Sequence, residues 1–531
     1  MKKFSISDST NNYLSKLAVF GAFLSLILGM TTFPIFDNQE ATNILTANTI
    51  LNTGEWIAPD GMQHPPLYLW LLAISIKFFG IGEFSVRLLS VIFMFFTYLT
   101  LYYHVNRFDR QLGLMTLIVF SGNIAVGLIA NVGLHFSLLL FLITTMVVGL
   151  HRYVLYQRTG WLVLISFMLS LALLAEGPAV LPFVAILCLT LGFLHPKGTW
   201  IFRMKVLLAL LIALLPLLIW GYFAESKSPG YVIDFIKRNG YIWTFNETLD
   251  IPFFRWSEML IFILAFMPFV VFIPKAILRT IRVFGRRGAP KQFFAIWAVC
   301  ASVPYLVLGG KIAWMSLLSF PAFSVIVASI VHDWSRQVKT RAVYFAPLTQ
   351  AIALGVALIA SLSTMVVVMK QGSWMWILLP GIVLSLGALL IIVGIKKSNG
   401  REKYRRWWVY GLVATIFFWA SVPHAFRHHW GAMKYMVKST KKTYDKVFVN
   451  EQDLLMHPSL HVYLLRYVPN SFEILKFNDI PRVQQNEKAV WIQPVINDMP
   501  PGTYIYRGRI SGGVGEITYG LVPIYPQQRV L

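Results

Sequence analysis

The first residues that could do chemistry are two acidic side chains in the stretch FDNQEATNILTANTILNTGEWIAPDGMQHPPLYLWL, residues 36–71, which follows directly on an apolar run. Asp37 and Glu40 are three residues apart, so a helix would place both carboxylates on one face. Such a pair can accept a proton from a hydroxyl group, hold a cation or orient sugar hydroxyls. The alternative is a solvated loop end with ordinary acidic residues, and the spacing alone does not decide between the two.

Two cationic residues are the next candidates. In GGKIAWMSLLSFPAF, residues 309–323, Lys311 follows two glycines that would let the backbone approach a ligand, and its ammonium group would suit a phosphate. A lysine that snorkels from a helix end is the alternative. Arg87 in EFSVRLLS requires an anionic partner, which would be either Glu83 four residues earlier or a lipid phosphate.

The remaining candidates are His64, His135 and Glu176, each of which could equally be structural. No spacing of His, Cys and carboxylate residues matches a zinc site, so the sequence predicts no metal site. A bound divalent cation stays open, although no ligand set requires one. The chain has no P-loop, no dinucleotide fingerprint and no Gly-x-Ser-x-Gly elbow, so a nucleotide-sugar donor has no support.

These candidates lie in a chain that must be embedded in a membrane. Of its 531 residues 57% are hydrophobic and 13% are charged, and the mean hydropathy is +0.64. A soluble protein of this length could not bury so much apolar surface, and apolar runs of spanning length recur from residue 17 to residue 426. The net charge of +23 is explained by Lys-rich and Arg-rich cytoplasmic loops, so nucleic acid is not an expected partner.

The distribution of Lys and Arg predicts which loops lie in the cytoplasm. Basic and charge-poor loops alternate along the chain only if the apolar stretch 65–79 lies along or dips into the outer face instead of crossing. The sequence then predicts about thirteen spans, a cytoplasmic N-terminus and an outer C-terminus. Their approximate cores are 17–34, 84–103, 112–129, 134–150, 161–175, 178–194, 206–223, 257–274, 293–308, 313–331, 344–368, 374–395 and 408–426.

The composition changes after the last span. We predict an all-α polytopic membrane domain over residues 1–429, with a first outer loop at 36–83, and a small α/β domain over 430–531. The second domain is indicated by short alternating stretches such as KVFVN, FEILKF and TYIYRG, with one helix-like segment at 453–467. On this topology the second domain is periplasmic.

The same topology places the ionisable candidates at one face of the membrane, the outer one. A charged side chain at membrane depth costs on the order of several kcal/mol, so a group of them indicates a functional site. Acids, histidines and two cations around one outer cavity could hold a phosphate and a sugar. The residues concerned are Asp37, Glu40, His64, Arg87, His135, Glu176 and Lys311.

The order of these features resembles the C-type (GT-C) glycosyltransferases, above all the aminoarabinose transferases and the dolichyl-phosphate-mannose protein mannosyltransferases. The resemblance covers residues 36 to about 323 and includes a first span, an acidic outer loop, a Gly-x-Trp-x-x-Pro segment and a Pro-Pro-Leu-x-x-Trp helix. The stretches that carry it are QEATNILTANTILNTGEWIAP, HPPLYLW, FSVRLL, AEGPAVL and GGKIAWMSLLSFPAF.

Several polar positions depart from the family pattern. Where the family usually opens its first outer helix with Asp-Glu, only Glu40 is present, and Asp37 lies two residues early. His64 and Glu176 stand where the family usually has lysines, and His135 stands at a position that is usually acidic. The residues that match are Glu40, Arg87 and Lys311.

Members of that branch take a sugar from a polyprenyl phosphate and pass it to a lipid, glycan or protein outside the cytoplasmic membrane. The resemblance implies an inverting glycosyltransferase of a bacterial cytoplasmic membrane, surrounded by membrane lipids, with a polyprenyl-phosphate-linked sugar as donor and a lipid A-like lipid, glycan or protein as acceptor. It also implies roles for the residues: Glu40, with Asp37, would be catalytic, and the substrate would be bound by Lys311, Arg87, His64, His135 and Glu176.

Two other functions stay open. The substituted positions are compatible with a non-catalytic lipid-phosphate-binding protein derived from the family. A transporter of lipid-linked sugars is the second alternative, although it would need charges at mid-membrane and a pathway with two exits.

Overall fold

The described part of the chain is a set of apolar helices followed by a β-sheet with its own helices. The computed structural model describes residues 19–36, 39–239, 266–336 and 432–524, apart from 25, 28–29, 31–32, 60, 63, 267–268, 289–290, 309, 477–486, 495–502 and 510–515. The helices are α1 (Gln39–Thr53), α2 (Leu67–Phe79), α3 (Glu83–Asn106), α4 (Arg110–Ser121), α5 (Ile124–Ala130), α6 (Phe136–Tyr156), α7 (Thr159–Glu176), α8 (Leu181–Leu194), α9 (Met204–Lys227), α10 (Tyr231–Asn239), α11 (Ile273–Phe284), α12 (Gln292–Leu308), α13 (Phe320–Arg336), α14 (Ala432–Thr443), α15 (Glu451–Met456) and α16 (Pro458–Tyr467).

Among these residues, five helical segments are long and apolar enough to cross a membrane: α3, α6, α7, α9 and Met315–Asp333. Each coincides with a span predicted from the sequence, so the chain is a multi-pass membrane protein. The predicted spans 344–368, 374–395 and 408–426, and most of 257–274, lie outside the described residues. The total of about thirteen therefore stays a prediction.

One predicted span, 112–129, is two helices in the structure. The carboxylate of Asp109 accepts hydrogen bonds from the amides of Gln111 (2.9 Å) and Leu112 (3.1 Å) and so begins α4. A second cap follows at Asn123, whose side-chain oxygen accepts from the amide of Ala125 at 3.0 Å and begins α5. The hydropathy of the stretch is continuous, so only these polar caps signal the break.

The apolar stretch expected to stay at the outer face forms the short helix α2. Its 13 residues extend about 20 Å at 1.5 Å per residue, whereas the hydrocarbon core is about 30 Å thick. The helix follows two prolines, Pro65 and Pro66, and ends at Gly80, whose φ of 76° favours glycine. This length agrees with a segment that does not cross the membrane.

Burial separates helices inside the bundle from those that face lipid. In α6, 83% of the apolar segment is buried, whereas in α9 the buried share is only 22%. Leu208, Leu211, Leu215 and Leu218 of α9 are each at least half exposed. An apolar helix exposed to this extent is stable in hydrocarbon rather than in water.

The C-terminal part of the described chain contains one mixed β-sheet. Its strands are β1 (Lys446–Asn450), β2 (Phe472–Leu475), β3 (Ala489–Pro494), β4 (Tyr504–Arg509) and β5 (Glu516–Ile524). They lie in the order β2-β1-β3-β5-β4, with β1 parallel to β2 and β3 and with β5 antiparallel to β3 and β4. The three central residues of β1 are buried, as expected for a parallel strand covered on both faces.

The C-terminal helices dock on the end of the bundle that carries the first outer loop. Glu83, the first residue of α3, is buried and forms ion pairs with Lys434 of α14 at 2.5 Å and with Arg466 of α16. The hydroxyl of Tyr463 accepts a hydrogen bond from the amide of Ile35 at 2.8 Å. The predicted α/β domain and the predicted first outer loop are therefore at the same end of the bundle.

Candidate functional site

The first cluster, at the end of the bundle that carries the predicted first outer loop, is a closed ion pair between Glu40 and Arg87. The guanidinium of Arg87 donates from Nε to Oε1 of Glu40 at 2.9 Å and from Nη2 to Oε2 at 3.0 Å. Its other N–H groups donate to the carbonyl oxygens of Met30 at 3.3 Å, Phe33 at 2.7 Å and Pro34 at 2.7 Å. All five N–H donors of the guanidinium thus have an acceptor.

The carboxylate of Glu40 is equally saturated. In addition to Arg87, its Oε1 accepts a hydrogen bond from the amide of Gly133 at 2.8 Å, and its Oε2 accepts one from the amide of Phe36 at 2.8 Å. Residue 133 must be glycine, because a Cβ there would lie 2.0 Å from Cγ1 of Val86. Both ion-pair side chains are completely buried.

This geometry revises two expectations. We expected Glu40 to accept a proton from an acceptor hydroxyl and Arg87 to hold a phosphate. In the structure neither side chain has a free donor or acceptor for a substrate, and the partner of Arg87 is Glu40 instead of Glu83. Their arrangement supports a structural role, in which the pair joins the chain before α1 to α3.

The second cluster consists of His64, His135 and Glu176. Nε2 of His135 lies 2.7 Å from Oε2 of Glu176, and Nδ1 of His64 lies 3.7 Å from the same oxygen. The imidazole centroids of the two histidines are 4.1 Å apart. One potential ligand atom from each of the three residues lies within 4.8 Å of the other two. We call these three residues the outer triad.

Three separate elements position the outer triad. His64 comes just before the two prolines that begin α2, His135 is the N-cap residue of α6, and Glu176 is the last residue of α7. The chain can turn directly after Glu176 because Gly177 has a φ of 87°. The three positions are also those where the sequence replaces two lysines and an acidic residue of the family pattern.

The outer triad is shielded from water but not closed. The exposed fraction of the side chain is 1% for His135, 5% for Glu176 and 19% for His64. Burial, with a smaller contribution from His135 and against the opposing effect of Glu176, lowers the pKa of His64 to about 3. His64 is therefore neutral at physiological pH, and one nitrogen lone pair of its ring can bind a ligand.

The first outer loop is held over α9 by two side chains of that helix, Trp220 and Lys227, and Trp70 of α2 makes a further contact within the loop. The indole N–H of Trp220 donates to the carbonyl oxygen of Ile57 at 2.9 Å, and that of Trp70 donates to the carbonyl oxygen of Trp56 at 2.6 Å. Lys227 pairs with Glu55 at 2.5 Å. A cavity of about 450 Å³ lies between this loop and the start of α10; it is lined by Pro59, Gly61, Met62, Ser228, Pro229, Tyr231, Asp234 and Lys237.

Two of the predicted site residues cannot be placed. Asp37 lies outside the described residues, as does the side chain of Lys311, whose backbone is part of a 3-10 helix over Gly310–Ser319. The structure brings the other five together in two groups. The sequence indicated each of these five residues but not their interaction partners, because the partners come from elements far apart in the chain.

The comparisons with known proteins fit this architecture. Residues 63–222 match the sequence model of a family described as dolichyl-phosphate-mannose-protein mannosyltransferase. An uncharacterized protein of Aquifex aeolicus (strain VF5) is 27% identical over 322 residues, which are 58% of this chain and 70% of that protein.

Two crystal structures of ArnT from Cupriavidus metallidurans have the same fold as the chain. One is the apo state and the other is bound to undecaprenyl phosphate, and each has a TM-score of 0.68 over 97% of this chain and 98% of ArnT. The sequence identities are 13% and 12%. Together with the family match, they confirm the resemblance predicted from the sequence: the chain is a helical membrane protein with the fold of ArnT, and residues 63–222 resemble the mannosyltransferase family.

Proposed function

We propose that the chain is a glycosyltransferase that moves a sugar from a polyprenyl-phosphate carrier to an envelope acceptor at the outer face of the bacterial cytoplasmic membrane. The observation that carries the proposal is the fold shared with ArnT over 97% of the chain, because ArnT has been crystallised with undecaprenyl phosphate. The polar clusters at one end of the apolar bundle support it, since a lipid-linked phosphate would reach that end from the bilayer.

The proposed reaction is a single displacement with inversion at the anomeric carbon. The hydroxyl oxygen of the acceptor forms a bond to that carbon from the face opposite the phosphate. The bond between the anomeric carbon and the phosphate oxygen breaks, and its electron pair leaves with the polyprenyl phosphate. The hydroxyl proton passes to a carboxylate, and a positive charge near the phosphate assists its departure.

The hydrogen bonds of Glu40 bear on which residue accepts the proton and which residue holds the phosphate. Both oxygens of Glu40 are saturated by Arg87 and two amides, so we propose Asp37 as the residue that receives the proton. Asp37 follows Phe36, whose amide is bound to Glu40, and the ion pair would fix the chain next to the base. Lys311 is proposed to hold the carrier phosphate as a point charge.

Mass spectrometry of the envelope lipids and glycans tests this function. A strain that lacks the protein should lose one glycosylated species and accumulate a polyprenyl-phosphate-linked sugar, compared with its parent. The wild-type gene should restore the parental pattern, and so should the control Glu473→Gln, which alters a half-exposed acid of the sheet. Asp37→Asn should not restore it.

Two results would contradict the proposal. An unchanged envelope in the deletion strain, with undecaprenyl phosphate still bound by the purified protein, would favour a lipid-phosphate-binding protein. Movement of a lipid-linked sugar across proteoliposomes without any new glycosidic bond would favour a transporter.

A further inference from the structure

We propose that the outer triad, His64, His135 and Glu176, binds a divalent transition-metal ion of the zinc type. We also propose that the ion keeps an open coordination position for a phosphate oxygen of the carrier, a second step that rests on the proposed function. The first step stands on the described residues alone.

The ligand set is the first argument. Two imidazoles and one carboxylate are a recurrent set for zinc sites that keep a fourth position for water or substrate. Zinc ligands at about 2.0–2.1 Å from the metal lie about 3.3 Å apart in a tetrahedral arrangement. The observed separations from Oε2 of Glu176 are 2.7 Å to His135 and 3.7 Å to His64, which bracket that value. Small side-chain rotations would complete the geometry.

The support of the ligands is the second argument. The side chains of His135 and Glu176 are at least 95% buried, and they lie at the facing ends of α6 and α7, which pack against each other. His64 is followed by two prolines that restrict its backbone. Ligands held by helix ends and restricted turns pay little conformational entropy when a metal binds.

Access to the site is the third argument. His64 is the one member of the triad with a partly exposed side chain, at 19%. It comes two residues after Met62, which lines the 450 Å³ cavity under the first outer loop. Two residues span at most about 7 Å, so the backbone of His64 lies close to this cavity. An ion and then a phosphate could enter from there.

Charge links the metal to the proposed substrate. A metal ion would bind the triad as two neutral imidazoles and one carboxylate, a ligand set that carries one negative charge. A divalent cation changes the net charge of the cluster to plus one and offers a coordination position to a phosphate oxygen. The ion would thus supply the positive charge that the sequence lacks at the two positions where the family pattern has lysines.

Metal binding can be tested on the purified full-length protein in detergent, after removal of the purification tag and treatment with a chelator. Dialysis against Zn²⁺ should leave one zinc per wild-type chain. His135→Asn and Glu176→Gln should each weaken zinc binding at least tenfold, whereas His461→Asn and Glu473→Gln, which lie outside the triad, should bind as the wild type does. His64→Cys should retain zinc, because a thiolate is also a zinc ligand.

Two additional readouts separate a built site from surface binding and from misfolding. Co²⁺ in place of Zn²⁺ should give the strong visible absorption of a four-coordinate ion, and this band should be lost in His135→Asn. Retention of zinc by His64→Cys would show that a substituted triad still folds. The proposal is overturned if the wild type takes up no stoichiometric Zn²⁺ or Co²⁺, or if the triad variants bind them as tightly as the wild type.

The phosphate step has its own test. Undecaprenyl phosphate should bind the zinc-loaded protein at least tenfold more tightly than the zinc-free protein, and inorganic phosphate at equal concentration should compete only weakly if the lipid tail contributes. The double variant His64→Lys/Glu176→Lys should bind undecaprenyl phosphate without zinc. Equal affinity with and without zinc would refute the phosphate step. Zinc uptake without any glycosyl transfer would refute the proposed function and leave the metal site standing.

Discussion

The two buried clusters at the end of the bundle that carries the predicted first outer loop contain similar residue types but differ in their arrangement. In the Glu40–Arg87 pair every guanidinium N–H has an acceptor, and each carboxylate oxygen accepts two hydrogen bonds. In the outer triad two histidines face one carboxylate oxygen, and one side chain stays partly exposed. The first arrangement holds the fold together, and the second is open to a ligand.

The difference teaches how to recognise function among costly buried charges. A charge at membrane depth indicates a functional site only by default, and Arg87 is a charge whose hydrogen bonds are all made inside the protein. A planar guanidinium that meets a carboxylate and three backbone carbonyls has no capacity left for a substrate. The number of unused lone pairs, more than the presence of charge, distinguishes a site from a structural lock.

Removal of the cation from the closed pair should have the largest effect. Arg87→Met leaves the Glu40 carboxylate buried and unpaired, which costs about 3–5 kcal/mol, so we expect little folded protein in detergent. Arg203→Met, which removes an exposed arginine stacked on Trp200, is the matched control and should unfold as the wild type does. Thermal unfolding checks both variants. An unchanged unfolding temperature for Arg87→Met would show that the Glu40–Arg87 pair does not stabilise the fold.

A methyl group inside the closed cluster should have the next largest effect. In Gly133→Ala the new Cβ would lie 2.0 Å from Val86 and 2.7 Å from Oε1 of Glu40, so the backbone must shift and the amide must leave the carboxylate. We expect a loss of stability of about 1–3 kcal/mol. Gly160→Ala, in the first turn of α7 with no atom within 4 Å of the new Cβ, should be neutral or stabilising. Thermal unfolding checks this prediction: the unfolding temperature should fall for Gly133→Ala and should not fall for Gly160→Ala.

Weaker docking of the C-terminal part should follow from Glu83→Gln. The substitution leaves Lys434 and Arg466 without their shared carboxylate at the start of α3. We expect faster cleavage of the C-terminal part by a soluble protease while the membrane helices stay intact. Glu473→Gln removes only the half-exposed partner of Lys446 and should leave the cleavage rate unchanged. Equal rates for the two variants would contradict a docking role for Glu83.

The smallest effect on the stability of the metal-free protein is expected for a substitution in the outer triad. Glu176→Gln keeps the size of the side chain and a hydrogen-bonding oxygen, so zinc-free protein should unfold close to the wild-type temperature. At a zinc concentration 100 times the wild-type dissociation constant the wild type should gain about 2.7 kcal/mol, and a variant that binds zinc tenfold more weakly should gain at most about 1.4 kcal/mol. A large loss of stability in zinc-free Glu176→Gln would show that the outer triad, like the Glu40–Arg87 pair, stabilises the fold.

Some of the site could be predicted from the sequence, and its pairing could not. Glu40, Arg87, His64, His135 and Glu176 were all identified, because ionisable residues are conspicuous in apolar surroundings. The expected partner of Arg87 was either Glu83 or a lipid phosphate, since only neighbours in sequence can be paired by spacing. Glu83 instead pairs with Lys434 and Arg466, which lie beyond the membrane helices in the chain. The sequence predicted no metal site, and the spacing of residues along the chain cannot bring together the three separate elements that carry the outer triad.

The sequence alone determined that this protein is embedded in a membrane, where most of its described spans lie and which side chains are costly to bury. These properties are sums over neighbouring residues, so hydropathy and charge read along the chain are sufficient for them. Only the tertiary structure decided that Asn123 divides a continuous apolar run, that Glu40 is bound by Arg87, and that His64, His135 and Glu176 meet. Such contacts depend on how helices pack at a distance in sequence, and that packing sets which lone pairs are used and which remain for a ligand.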